Sequence, residues 1–133
     1  MAEHIHHVHL FARDLAATVA WYGEVLGGIV RYDGEFAGVR NVFMTVGSGR
    51  LHFYDQPPRG EGRNAIHHVG IRTDDLAGVI ARLRRRGGPP PGPVRDFGAW
   101  RYLMCEGPDG VLLELFEVDG AKLPPALAAY FGA

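Results

Sequence analysis

Residues 5–16 read IHHVHLFARDLA, and residues 66–77 read IHHVGIRTDDLA. Seven of the twelve aligned positions are identical: Ile5/Ile66, His6/His67, His7/His68, Val8/Val69, Asp14/Asp75, Leu15/Leu76 and Ala16/Ala77. The offset is 61 at every pair (7 to 68, 14 to 75). So dense a self-match in 133 residues identifies two copies of one supersecondary unit.

Each copy opens on a strand, because IHHV alternates apolar and polar side chains. Asp14 and Asp75 then stand at helix N-caps, where a carboxylate accepts backbone N–H groups of the first turn. Leu15, Val19, Tyr22 and Leu26 follow at helical spacing, as do Leu76, Val79, Ile80 and Leu83. Gly27-Gly28 and Gly87-Gly88 stop the two helices. Three strand-like runs come after each: 29–32, 39–46 and 51–54 in the first copy, 93–95, 100–105 and 111–118 in the second. The predicted architecture is α+β, with two tandem βαβββ modules in one domain over 1–133. Module 1 covers about 4–56 and module 2 about 65–118, with a C-terminal tail at 119–133. Gln56–Asn64, with Pro57-Pro58, reads as the linker, and 89–93 (PPPGP) as a stiff loop. The tail from Pro124 suits a short amphipathic helix (Leu127, Tyr130, Phe131), read as a packing or dimerisation element.

Composition narrows the function classes. Apolar residues make up 47% and charged residues 22%, as in a soluble globular chain. Fourteen basic against fifteen acidic residues leave −1, so charge makes no case for nucleic acid or an anionic membrane as partner. The single Cys105 cannot form an intramolecular disulfide, and no apolar run approaches the ~20 residues of a membrane span. The expectation is a cytoplasmic protein without a signal peptide.

Strand parity then selects the residues that converge. If Val8 and Leu10 face the first helix, His7, His9 and Phe11 face the other way. The same parity groups His68 with Gly70 and Arg72, His52 with Tyr54, and places Glu114 between two leucines of opposite parity. The spacings agree, 45 from His7 to His52 and 46 from His68 to Glu114, so each copy offers two ligand-type residues at matching strand positions. Three imidazoles and a carboxylate suit Zn, Ni, Co, Mn or Fe. The alternative for any one of them is a satisfied polar residue at a strand edge. His4 and His6 look like a tag fragment, but His67 repeats His6 and ties it to the fold. His9, Arg40, Tyr54, Trp100 and Tyr102 are the candidates for shaping a substrate. Arg82, Arg84, Arg85 and Arg86 read as a solvated helix end, with an anion site as the alternative, and Cys105 as a core thiol.

Two segments carry a family resemblance. His7 to Leu15, followed by Trp21-Tyr22 and Leu26-Gly27, resembles the opening pattern of the vicinal-oxygen-chelate superfamily (glyoxalase, bleomycin resistance, extradiol dioxygenase). The closing stretch from Gly107-Pro108-Asp109-Gly110 to Glu114 is similar to that family's final turn and ligand glutamate. The resemblance spans about 4–118 and implies a cupped mixed sheet around a metal held by His7, His52, His68 and Glu114, within a homodimer. Within that family the leading expectation is a metal-dependent isomerase or lyase of the glyoxalase or epimerase type. Such an enzyme stabilises an enolate-like intermediate of a small vicinal-oxygen substrate, with Glu114 as first candidate for the catalytic base. The alternatives are an Fe(II) extradiol-type dioxygenase and a metabolite-binding or antibiotic-resistance protein. This chain departs from the family's common patterns at Trp21, Gly28, His52 and Met104. The resemblance therefore does not select the reaction or the substrate.

Overall fold

The aspartates at positions 14 and 75 do the local work the sequence assigns to them. In a computed structural model describing residues 5–36, 38–59 and 66–132, Asp14 accepts the backbone N–H of Ala17 at 3.0 Å and Asp75 that of Gly78 at 3.0 Å. They open helices α1 (Leu15–Leu26) and α2 (Leu76–Arg86). Gly27 closes α1 in the left-handed region at φ 70°, which a glycine enters without steric cost. Gly87 closes α2, whose last turn carries Arg84, Arg85 and Arg86 against the negative end of the helix dipole.

Strands β1 (Val8–Phe11), β2 (Ile29–Phe36), β3 (Val39–Val46) and β4 (Gly49–Tyr54) form one sheet in the order β1-β4-β3-β2. Strands β5 (Val69–Arg72), β6 (Arg95–Asp96), β7 (Trp100–Glu106) and β8 (Leu112–Val118) form a second in the order β5-β8-β7-β6. In each sheet the first strand runs parallel to the last and the remaining pairings are antiparallel. The βαβββ unit is thus repeated, and the chain divides into two compact units, Met1–Arg63 and Asn64–Ala133. Several strand limits move: β2 runs on to Phe36, β4 begins at Gly49, β7 and β8 shift by one residue, and β6 is only Arg95–Asp96 instead of 93–95, because Pro93 lacks the N–H a ladder needs. Residues 60–64 of the expected linker, and His4, lie outside the described residues. The C-terminal tail forms α3 (Pro125–Gly132) and belongs to the second unit.

One face of each sheet is sealed by its helix. In the first unit Leu51, Phe53, Val42 and Met44 are buried with Leu15, Thr18, Trp21, Tyr22 and Val25 of α1. The Tyr22 and Phe53 rings lie 5.1 Å apart. The buried stripe of α1 is rotated slightly from the one expected: Thr18, Trp21 and Val25 are covered, while Val19 and Leu26 are half-buried. Gly28 is small for a packing reason. A Cβ there would run into the Met44 side chain and approach the Tyr22 carbonyl to 3.1 Å, so Met44 fills the space of a larger residue. In the second unit Leu103, Cys105, Leu113 and Leu115 are buried with Leu76, Val79 and Leu83 of α2. Each fully buried large aliphatic or aromatic side chain contributes roughly 1.5–3 kcal/mol. No helix among the described residues is long and apolar enough to cross a membrane.

Candidate metal centre

The faces turned away from α1 and α2 carry the candidate ligands. In the first unit the register pairs His9 with His52, Phe11 with Tyr54 and Phe43 with His52, so these side chains share one face. His7 immediately precedes β1 and joins them. Its ring stacks on His52 at 3.7 Å with an 11° tilt, and Phe43 stacks on His52 from another side at 3.9 Å. His9 stacks on Tyr54 at 3.7 Å. The expected pair His7 and His52 is therefore brought together, with His9 and Tyr54 beside it.

Burial and mutual repulsion set the charge state of these rings. Desolvation, followed by the neighbouring His7, His9 and His6, pushes His52 down to about 4. Desolvation and then His7 also lower His9, with Asn41 pulling the other way. Burial disfavours the charged form, so His52 is a neutral ring with a lone pair to offer at neutral pH. The Nε2 of His9 is buried and has no hydrogen-bond partner among the described residues.

In the second unit Gly70 pairs with Glu114, Arg72 with Phe116, Met104 with Glu114 and Tyr102 with Phe116. These residues share the face opposite Leu113 and Leu115. His68, just ahead of β5, places Nε2 at 3.2 Å from Glu114 Oε2. The Glu114 side chain is 16% exposed, and among the described residues its one ion-pair partner is that imidazole. A half-buried carboxylate beside an imidazole is a donor pair of a type suited to a cation. The strand reaches this position through a tight turn at Pro108–Gly110, where Asp109 adopts φ 60°. Aspartate is one of the few side chains that tolerates that region.

The substrate-shaping candidates separate. Tyr54 lies on the His52 face, and Trp100 and Tyr102 lie on the Glu114 face. Arg40 does not. It has the parity of the buried Val42 and Met44, opposite to His52, and its guanidinium makes a two-pronged contact with Asp33 at 2.7 and 2.9 Å. The register of β3 thus removes Arg40 from the group expected around a substrate. Cys105 lies on the helix side, and burial raises its thiol to about 11, so it is a packing residue. A 410 Å³ cavity lined by Leu83, Arg84, Pro91 and Leu103 is likewise on the helix side and contains none of the four ligand candidates.

Two features escape a reading of the sequence. His6 approaches His7 with its Nδ1 3.1 Å from His7 Nδ1, and His67 repeats the contact with His68 at 2.8 Å. Phe131 of α3 packs edge-on against Trp100 and Phe116, at centroid distances of 4.7 and 5.9 Å. That puts the tail helix on the Glu114 face of its own sheet. The repeat of the His-His dipeptide is a visible signal for the first feature. Nothing local signals the second.

Two repeat-related pairs of side chains of metal-ligating type thus stand on the faces turned away from the helices. The chain belongs to the Glyoxalase/Bleomycin resistance protein/Dioxygenase superfamily, whose family model matches residues 4–115. It is 26% identical to the uncharacterized protein YwbC of Bacillus subtilis over 137 residues, covering 88% of this chain and 99% of that one. A glyoxylase/bleomycin resistance protein/dioxygenase domain from Frankia sp. EAN1pec has a similar fold (TM-score 0.75, 20% identity, 90% of this chain and 94% of that one). So does the fosfomycin resistance protein FosX of Listeria monocytogenes, in a mutant form complexed with Mn(II) and 1S,2S-dihydroxypropylphosphonic acid (TM-score 0.69, 16% identity, 86% and 92%).

Proposed function

We propose that this chain is a divalent-metal-dependent isomerase or lyase of the glyoxalase or epimerase type, acting on a small substrate with oxygens on neighbouring carbons. The observation that carries the proposal is the duplicated pair: His7 stacked on His52 in one unit and His68 bonded to Glu114 in the other, at equivalent positions of the repeat. His7, His52, His68 and Glu114 would hold the ion, which is Zn, Ni, Co, Mn or Fe by the mix of imidazole and carboxylate donors. When bound, such an ion supplies Lewis-acid polarisation of substrate oxygens. The FosX complex, an ion together with a 1,2-dihydroxy compound on this fold, supports that substrate class.

The chain's own residues supply the rest. With the ion held, Glu114, a half-buried carboxylate, would be the base that takes the proton from the carbon beside a substrate oxygen and returns it. His9, its ring stacked on Tyr54, forms part of the floor beside His52. Tyr54, Trp100 and Tyr102 give the substrate apolar walls. The functional form is a homodimer, as the family resemblance implies.

His52→Ala separates this reading from its rivals when metal content and turnover are measured together on a panel of 2-hydroxy ketones, thiohemiacetals and catechols. Weakened metal binding with loss of turnover supports the four-ligand enzyme. Full metal content with lost turnover of catechols supports an Fe(II) dioxygenase held by His7, His68 and Glu114. Unchanged metal and no turnover of any substrate by the unaltered protein supports a metabolite-binding protein.

A further inference from the structure

Strand parity places His6 opposite His7, but residues 5–7 precede the paired part of β1 and are not bound by its alternation. The structure uses that freedom. His6 Nδ1 lies 3.1 Å from His7 Nδ1, and the His6 ring centroid is 6.3 Å from that of His52. One ring nitrogen from each of His6, His7 and His52 lies within 4.8 Å of the other two.

Bonds of 2.0–2.1 Å at tetrahedral angles require nitrogen separations of about 3.3 Å. The trio therefore has to close by no more than about 1.5 Å. His6 and His7 are exposed, so side-chain rotation can supply this without disturbing the core. The His7–His52 stack would tilt open as the lone pairs converge.

We propose that the first module by itself forms a three-imidazole site, His6, His7 and His52, for a borderline divalent cation of the Zn²⁺ or Co²⁺ type. The inference rests on the preceding reading for His7 and His52, and adds a donor the four-ligand set lacks. Three neutral nitrogens without a carboxylate favour these ions over Mg²⁺, Ca²⁺ or Mn²⁺. The second module repeats the His67–His68 contact, but its strand position equivalent to His52 holds Glu114, so an all-imidazole set belongs to the first module alone. A metal can then stay on the chain when the ligands of the second module are gone.

The test uses the full-length chain carrying His68→Ala and Glu114→Ala, titrated with Co²⁺ alone. Readouts are bound cobalt by elemental analysis and the visible absorption of the ion, with circular dichroism to verify folding. The expected result is one cobalt per chain with the intense absorption of a four-coordinate, nitrogen-rich site. Adding His6→Ala, or separately His6→Gln, should weaken binding more than tenfold and erase the band. If the double variant binds no cobalt while the unaltered chain does, the three-imidazole site is overturned and the four-ligand reading stands. Binding that survives both His6 substitutions also overturns it. Failure of the unaltered chain to take up cobalt or any other divalent ion removes both.

Discussion

The two modules share a topology, an aspartate-capped helix and a His-His entry, yet their open faces differ. In the first, His9 and Tyr54 stack, and His52 is flanked by His7 and Phe43, so the face is filled by flat rings. In the second, the position equivalent to His9 is Gly70 and the position equivalent to His52 is Glu114. A Cβ on Gly70 would meet only Phe116, at 3.6 Å. Duplication kept the sheet and its buried side, because one-residue slips or core changes cost the whole face. It left the open side free to diverge, and the modules came to hold different donors: imidazoles alone in one, imidazole with a carboxylate in the other.

The largest expected effects test the part of the comparison in which the modules are alike. Phe53→Ala should destabilise the protein by about 3–5 kcal/mol and Leu115→Ala by about 2–5 kcal/mol. Both side chains are 0% exposed at corresponding helix-facing positions. Denaturant midpoints at constant slope check this, and a loss under about 1 kcal/mol at either site would show that its module has no rigid core.

Metal affinity tests the part in which they differ. Glu114→Ala removes the only carboxylate among the proposed ligands. It should weaken binding of a divalent ion by more than the roughly 10- to 100-fold typical of losing a supporting residue. His52→Ala should have a smaller effect, since it removes a neutral imidazole and leaves the one anionic donor in place. Equal losses, measured by competition with a chelating dye, would mean that the two modules contribute interchangeably.

Acidity gives a third handle on the first module. His52 titrates near 4 in the folded chain against an ordinary value of 6.5. Between those pH values the unfolded chain binds a proton that the folded chain does not, so stability falls as pH drops from 6.5 and levels off below about 4. His52→Gln should flatten that slope in metal-free protein. An unchanged slope would assign the acid sensitivity to another group.

The smallest effects are local. Asp14→Ala and Asp75→Ala should each cost about 0.5–2 kcal/mol through the lost N-cap. Glu117 also accepts the Leu76 N–H at 3.2 Å, so the second helix should be the less affected. A larger loss at Asp75 than at Asp14 would contradict that account of the two starts.

Much of this is legible in the sequence because it is local or periodic. The aspartate caps, glycine stops and alternation at 5–11 and 66–72 each depend on neighbours a few residues away. The pairs His7/His52 and His68/Glu114 are legible because the repeat ties positions that are distant along the chain. Three features are not. Arg40 draws attention by its chemistry, but the register of β3 decides its face. His6 escapes because parity does not extend past the end of the strand. Phe131 escapes because its contacts with Trp100 and Phe116 come from separate elements, with no spacing to announce them.

Repeat-equivalent side chains of both modules are proposed to hold a single divalent ion. Elemental analysis of the mildly purified chain, followed by exposure to Zn, Ni, Co, Mn and Fe in turn, tests it most directly. The account predicts about one tightly held divalent ion per chain, released by a strong chelator and regained on adding metal. A chain that carries no metal and takes up none of the five ions would contradict it.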